Sequence, residues 1–169
     1  MGHKKTRKIV YMALLSAVAI VLHMVETMLQ LPLPLGMKLG LANIISLVVI
    51  EIYGAKEMLV VNFLRVMISS LMTGIFLSPG FFISCGGVLL SSVALVVVKK
   101  FTQLPIVSTS ILAAVFHNIG QILVVSFMYA NVAIMSYIFI LLASSIPTGI
   151  FTGLTSIEIT KRIHKEKIS

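Results

Sequence analysis

Long apolar runs separated by short polar or proline-containing breaks dominate the chain. Each run is continuous, which is typical of membrane-spanning helices and unlike the roughly 10-residue alternating strands of a membrane barrel. Two of the breaks are Pro32 to Gly36 and Ser78-Pro79-Gly80, where proline interrupts helical hydrogen bonding. The pattern predicts an all-α bundle of six transmembrane helices, at about residues 9–29, 39–53, 57–73, 80–98, 107–130 and 134–160.

Composition agrees with a membrane protein, since 59% of the 169 residues are hydrophobic and 11% are charged, against about 25% charged in a soluble domain. We therefore expect residues 1–169 to form a single integral membrane domain. The basic N-terminus followed by an apolar run is also typical of a signal peptide. Because the run continues from Ile9 to Leu29 without a small-residue cleavage site, we expect a retained first helix.

Basic residues cluster at the predicted cytoplasmic ends of the helices. Eleven of the thirteen fall before the first helix, in the second and fourth connections, or after the last helix. The positive-inside rule then predicts both termini in the cytoplasm of a bacterial cell, with a multi-pass chain in its cytoplasmic membrane. The net charge of +8 is explained by these topology signals and does not indicate nucleic acid binding.

The two remaining basic residues are Lys38, in an outer connection, and Arg65, inside an apolar run. A guanidinium at the bilayer centre costs about 3 kcal/mol on insertion scales unless it is paired or hydrated. Helix rise places it about 12 Å into the membrane, near the midplane, below or beside other polar side chains of the outer half. This polar group predicts a pocket for a small polar or anionic solute, and its members are Glu26, Lys38, Asn43, Arg65, His117, Asn118 and Gln121.

Each member also has a structural alternative. Arg65 could neutralise Glu26 or bond backbone carbonyls, although helix rise separates the two residues by about 15 Å. His117 and the amides could be interhelical hydrogen-bonding groups. Lys38 could be an ordinary loop charge. Spacing alone favours a shared face for His117 and Gln121, and likewise for Asn62 and Arg65.

Two pairs of small residues, four positions apart, predict close helix approaches. They are Ala13 with Ala17 in the first helix and Gly149 with Gly153 in the last. Such pairs serve either packing within the chain or docking of a partner subunit.

Several segments together resemble one known family. They are Leu33 to Asn43, Leu64-Arg65-Val66, Ser78-Pro79-Gly80-Phe81 and His117 to Gln121. The chain resembles the Gx transporter family, often labelled heptaprenyl diphosphate synthase component I, which is similar to the S components of energy-coupling factor (ECF) transporters. The resemblance implies a six-helix S-component-like fold with an outer solute site under the first loop, formed here by Lys38, Asn43, Arg65, His117, Asn118 and Gln121.

The resemblance also implies partners. Ala13 and Ala17 match a pattern that docks S components to a transmembrane coupling subunit. Because the sequence has no Gly-xxxx-Gly-Lys-Ser/Thr motif, ATPases would have to supply any energy. The expected function is a membrane subunit, surrounded by lipid, for uptake of a small cofactor-like or vitamin-like solute.

The carboxylate residues of the chain bear on the synthase label. Prenyl diphosphate synthases hold magnesium with aspartate-rich motifs, since hard cations prefer carboxylate oxygens. This chain has no aspartate, and its five glutamates form no close pair. We therefore expect no catalytic residues, no metal and no cofactor, and Cys85 is the single cysteine. The alternative function is a non-catalytic membrane subunit linked to heptaprenyl diphosphate or menaquinone synthesis.

Overall fold

The structure, a computed structural model, describes residues 2–28 and 40–168, and these residues form helices joined by short turns, with no strand. This confirms the predicted all-α class. A short 3-10 segment, Val132–Tyr137, precedes the last helix. The α-helices in this described part of the chain are α1 (Gly2–Met28), α2 (Asn43–Ile52), α3 (Ala55–Met72), α4 (Pro79–Phe101), α5 (Ile106–Met128) and α6 (Ile138–Ile168).

Four helical segments of the described residues are long and apolar enough to cross a membrane. They are Lys5–Met28, Pro79–Phe101, Ile106–Met128 and Ala133–His164. Their outward faces carry large exposed apolar side chains such as Leu14, Leu89 and Phe139. Exposed apolar surface of this extent marks contact with a membrane or a partner. The chain is therefore a membrane protein.

The short helix α2 lies at the centre of the bundle. It has 10 residues, and its side chains from Asn43 to Ile50 are all buried. A helix that is apolar on every side belongs in a core. Because α2 is covered by α1, α3, α5 and α6, it has no need to match the thickness of the bilayer. At its end, Gly54 takes a φ of 103° and its N–H bonds the carbonyl of Val49, turning the chain into α3.

Glycines bring α4, α5 and α6 into close contact. A Cβ on Gly86 of α4 would lie 2.8 Å from the carbonyl oxygen of Gly120 on α5, so the two helices meet backbone to backbone. A Cβ on Gly149 would lie 2.6 Å from Cα of Ile111, and Gly153 makes a similar contact with α5. The Gly149–Gly153 pair therefore serves packing within the chain.

Ion pairs gather at one end of the bundle. Lys8 of α1 bonds Glu57 of α3 at 2.5 Å, and Lys99 of α4 pairs with Glu51 of α2. Glu51 and Glu57 therefore have structural partners from two of the basic clusters, and these pairs link four helices at their polar ends.

Candidate functional site

Arg65 lies inside the bundle on α3 and is 1% exposed. Its Nη2 donates to Oδ1 of Asn43 at 3.3 Å, while Nε and Nη1 have no hydrogen-bond partner among residues 2–28 and 40–168. A guanidinium carries five N–H donors, so most of its bonding capacity is unused. A buried charge in this condition is costly, and it requires a physical explanation.

Glu26 of α1 faces Arg65 from the other side of the site and is also buried. Its Oε1 accepts hydrogen bonds from the backbone N–H groups of Gly40 and Leu41, the second at 3.2 Å. Gly40 takes a φ of 81°, and a Cβ there would lie 2.9 Å from Nδ2 of Asn43 and 3.2 Å from Cδ2 of His117. The carboxylate thus ties α1 to the turn that leads into α2, at a point where only glycine fits.

Glu26 and Arg65 line the same space, and their charges interact. The estimated difference in depth of about 15 Å refers to backbone positions, and the long side chains of both residues extend towards this space. Arg65 nevertheless makes its hydrogen bond to Asn43 and none to Glu26, so a direct bond with this carboxylate does not satisfy the guanidinium.

His117 and Gln121 form the α5 side of the site. Their Nε2 atoms are 2.8 Å apart, in agreement with the shared helix face that their spacing predicts. Gly87 of α4 lies directly against them, since a Cβ there would be 2.8 Å from Cε1 of His117 and 2.9 Å from Cγ of Gln121. The missing side chain on α4 therefore makes room for the imidazole.

These groups surround one narrow, partly open space that is too small for a water molecule in this conformation (about 0 Å³). Five helices and the turn before α2 contribute to its wall. His23 is a wall residue outside the predicted set, although it is three residues before Glu26 on the same helix face, a spacing that could have revealed it. Ser84 belongs to the segment Ser84-Cys85-Gly86-Gly87, whose small side chains are suited to lining a cavity or admitting a neighbouring helix. The lining residues are His23, Glu26, Gly40, Ala42, Asn43, Arg65, Ser84 and His117.

The structure brings together Asn43, Arg65 and His117 from the predicted set, with Gln121 behind the imidazole. Asn118 points elsewhere: its Nδ2 donates to the carbonyl of Leu141 at 2.9 Å and to Ser145 at 2.8 Å, joining α5 to α6. It does not line the space. Lys38, the remaining predicted site residue, lies outside the described residues.

Asn62 belongs to a separate polar cluster. Its Oδ1 accepts from Ser46 at 2.6 Å, and its Nδ2 donates to Ser92 at 2.8 Å and to Sδ of Met58 at 3.0 Å. These bonds link α2, α3 and α4. Although Asn62 is one turn from Arg65, its amide is satisfied by neighbouring helices and is a structural connection.

A groove of about 430 Å³ lies between α3 and α4 on the outside of the bundle. Its wall is almost entirely apolar, with Phe63, Met67, Phe81 and Leu89 among the lining side chains. The two helices touch far less than α4 and α5 do, which leaves the groove open. A membrane-facing groove of this kind is suited to an apolar chain.

The described residues contain no cluster of three or more His, Cys, Asp or Glu side chains that could hold a metal ion. The model of the family described as heptaprenyl diphosphate synthase component I matches residues 15–159, most of the chain. The chain therefore belongs to this family. No curated protein and no solved structure matches it.

Proposed function

We propose that this member of the heptaprenyl diphosphate synthase component I family is a substrate-binding membrane subunit for uptake of a small solute. It resembles an ECF S component and needs partner subunits for energy. The observation that carries the proposal is the buried guanidinium of Arg65, which borders a small polar space and has most of its donors without partners among the described residues. Such a group costs about 3 kcal/mol on insertion scales, which a bound solute would offset.

The proposed topology has six spans with both termini in the cytoplasm of a bacterial cell. The ion pairs Lys8–Glu57 and Lys99–Glu51 support it. Lys8 and Lys99 belong to two basic clusters that the positive-inside rule assigns to the cytoplasmic side, and both pairs lie at the same end of the bundle. In this topology α2 and the 18-residue α3 complete the bundle. Arg65 then lies eight residues beyond Glu57, about 12 Å into the membrane.

The exposed face of α1 supports a partner subunit. Ala13 and Ala17 are both exposed, beside the large apolar side chains of Leu14 and Val18. Small residues on an apolar face allow another helix to approach closely. We assign this face to a transmembrane coupling subunit, with ATPases supplying the energy. The chain itself is proposed to be non-catalytic, because it has no aspartate with which to hold magnesium as prenyl synthases do.

Co-purified solute tests the proposal. The protein and its Arg65→Ala variant are purified in mild detergent and extracted, and the extracts are compared by mass spectrometry. Arg162→Ala is the matched control, because Arg162 is exposed and pairs with Glu158 far from the site. We expect a small molecule in the parent and control extracts that is lost from Arg65→Ala. Equal amounts in all three samples would remove Arg65 from the binding site.

The second candidate, a non-catalytic subunit for heptaprenyl diphosphate or menaquinone synthesis, is favoured by one observation. This is the open apolar groove between α3 and α4, in which a prenyl chain could lie. Pull-down of the gently solubilised protein separates the two functions. Recovery of a coupling subunit with ATPases supports uptake, whereas recovery of a prenyl diphosphate synthase supports the second candidate.

A further inference from the structure

We propose that the ligand of the Arg65 site presents an anionic group, a carboxylate or a phosphate, to Arg65 and Asn43. The inference rests on the proposed function and names the chemical class of its solute. It is based on the buried hydrogen-bond donors of the site that have no partner among the described residues. Nε and Nη1 of Arg65 and Nδ2 of Asn43 are buried without hydrogen-bond partners in the described part of the chain, and all three are donors.

Unused donors require a ligand with acceptor atoms. Arg65 is 1% exposed and Asn43 is 4% exposed, so bulk water does not satisfy them. In this conformation the space between them is too small for a water molecule, so a ligand can enter only when the lining side chains move apart. A buried polar group without a partner destabilises the folded protein, and a charged one does so more strongly. A cationic ligand would add repulsion to this cost, and a purely apolar ligand would leave it in place.

The geometry favours an anion with two or more oxygens over a single neutral carbonyl. Nη2 of Arg65 uses one bond, at 3.3 Å, to the amide oxygen of Asn43. That bond orients the guanidinium towards the amide whose Nδ2 is unused. One oxygen of a carboxylate or phosphate can bond the guanidinium while another bonds the amide. Charge-assisted bonds of this kind are about twice as strong as neutral ones.

Glu26 does not supply the acceptor oxygens for the unused donors of Arg65 and Asn43. Its Oε1 is held by the N–H groups of Gly40 and Leu41, and Arg65 makes no hydrogen bond to it. Its charge balances that of Arg65 over a distance without filling the unused donors. The carboxylate instead limits how much negative charge the site can accept, which favours a ligand with one anionic group over a polyanion.

The test uses small anions as probes. The protein is reconstituted in phosphatidylcholine nanodiscs, and its thermal unfolding midpoint is followed during titration with sodium phosphate, sodium acetate or choline chloride at constant ionic strength. We expect saturable stabilisation by phosphate or acetate and none by choline. In Arg65→Lys the half-saturating concentration should rise at least about tenfold, since a lost hydrogen bond to a charged group costs about 1.5–3 kcal/mol. Arg162→Lys, at the exposed pair with Glu158, should leave it unchanged.

A second variant covers the case in which Arg65→Lys fails to fold. Asn43→Asp places a carboxylate beside the guanidinium, at the position of the present 3.3 Å bond. We expect this variant to unfold at a higher temperature without added anion, and to lose the response to phosphate and acetate. An anion response in Asn43→Asp as strong as in the parent would overturn the proposal.

A further arm identifies the source of the anionic group. If nanodiscs containing phosphatidic acid stabilise the protein in an Arg65-dependent manner and soluble anions do not, the group belongs to a lipid. If soluble anions suffice, it belongs to a free solute. Stabilisation by choline alone, or anion effects equal in the parent and Arg65→Lys, would overturn the anion inference. Loss of an uncharged co-purified molecule from Arg65→Ala would still support the proposed function, so the two failures are distinguishable.

Discussion

Replacing Gly87 with alanine tests the wall of the site without removing any of its polar groups. The new Cβ would lie 2.8 Å from Cε1 of His117 and 2.9 Å from Cγ of Gln121, closer than real Cβ atoms approach. Overpacking costs about 1–3 kcal/mol. The higher helix propensity of alanine offsets up to about 1 kcal/mol of this cost, because alanine is favoured over glycine within a helix. The net expectation is a loss of about 0–3 kcal/mol in the free energy of unfolding.

Gly80→Ala, on the same helix, is the matched control. A Cβ there has neighbours only at 3.7 and 3.8 Å, which is ordinary van der Waals contact. This variant should be neutral or up to about 1 kcal/mol more stable. The assay is reversible unfolding in mixed micelles, together with the amount of bound ligand by mass spectrometry. We expect Gly87→Ala to be less stable than Gly80→Ala by about 1–3 kcal/mol and to retain less ligand. Equal stability and equal ligand in the two variants would refute the assigned position of His117.

Three further changes test other parts of the account. Gly120→Ala should cost about 3 kcal/mol or more in micelle unfolding, because its methyl would overlap the backbone of Gly86, which cannot yield as a side chain can. Asn118→Ala should cost about 1 kcal/mol in the same assay and leave ligand retention unchanged, since its Nδ2 bonds α6; a loss of ligand would contradict this. Ala17→Leu should reduce recovery of a partner subunit in pull-downs without lowering stability, and unchanged recovery would argue against docking on this face.

Much of the helical architecture could be predicted from sequence because proline-containing and charged breaks delimit the apolar runs. The buried position of α2 was harder to predict. Its sequence is apolar on every side, as in a membrane span, and only the surrounding helices show that it is covered by protein. Gly149 and Gly153 illustrate the same limit, since their spacing predicts a close contact and only the structure identifies α5 as the partner.

Part of the site could also be predicted from the sequence. Arg65, Asn43 and His117 could be found because polar groups are rare in apolar runs, and helix rise placed them at similar depths. Asn118 satisfied the same criteria, yet its amide bonds α6, because depth does not specify the direction of a side chain. His23 was overlooked although it shares a helix face with a buried carboxylate.

Native mass spectrometry of the gently purified protein tests the central claim most directly, because it records ligand and partner subunits on the same particle. The account predicts a chain mass increased by one small molecule. That increase should be absent in Arg65→Lys and present in Arg162→Lys. A parent protein with no bound molecule under conditions that preserve its partners, or one whose bound molecule persists unchanged in Arg65→Lys, would contradict a solute site built on Arg65.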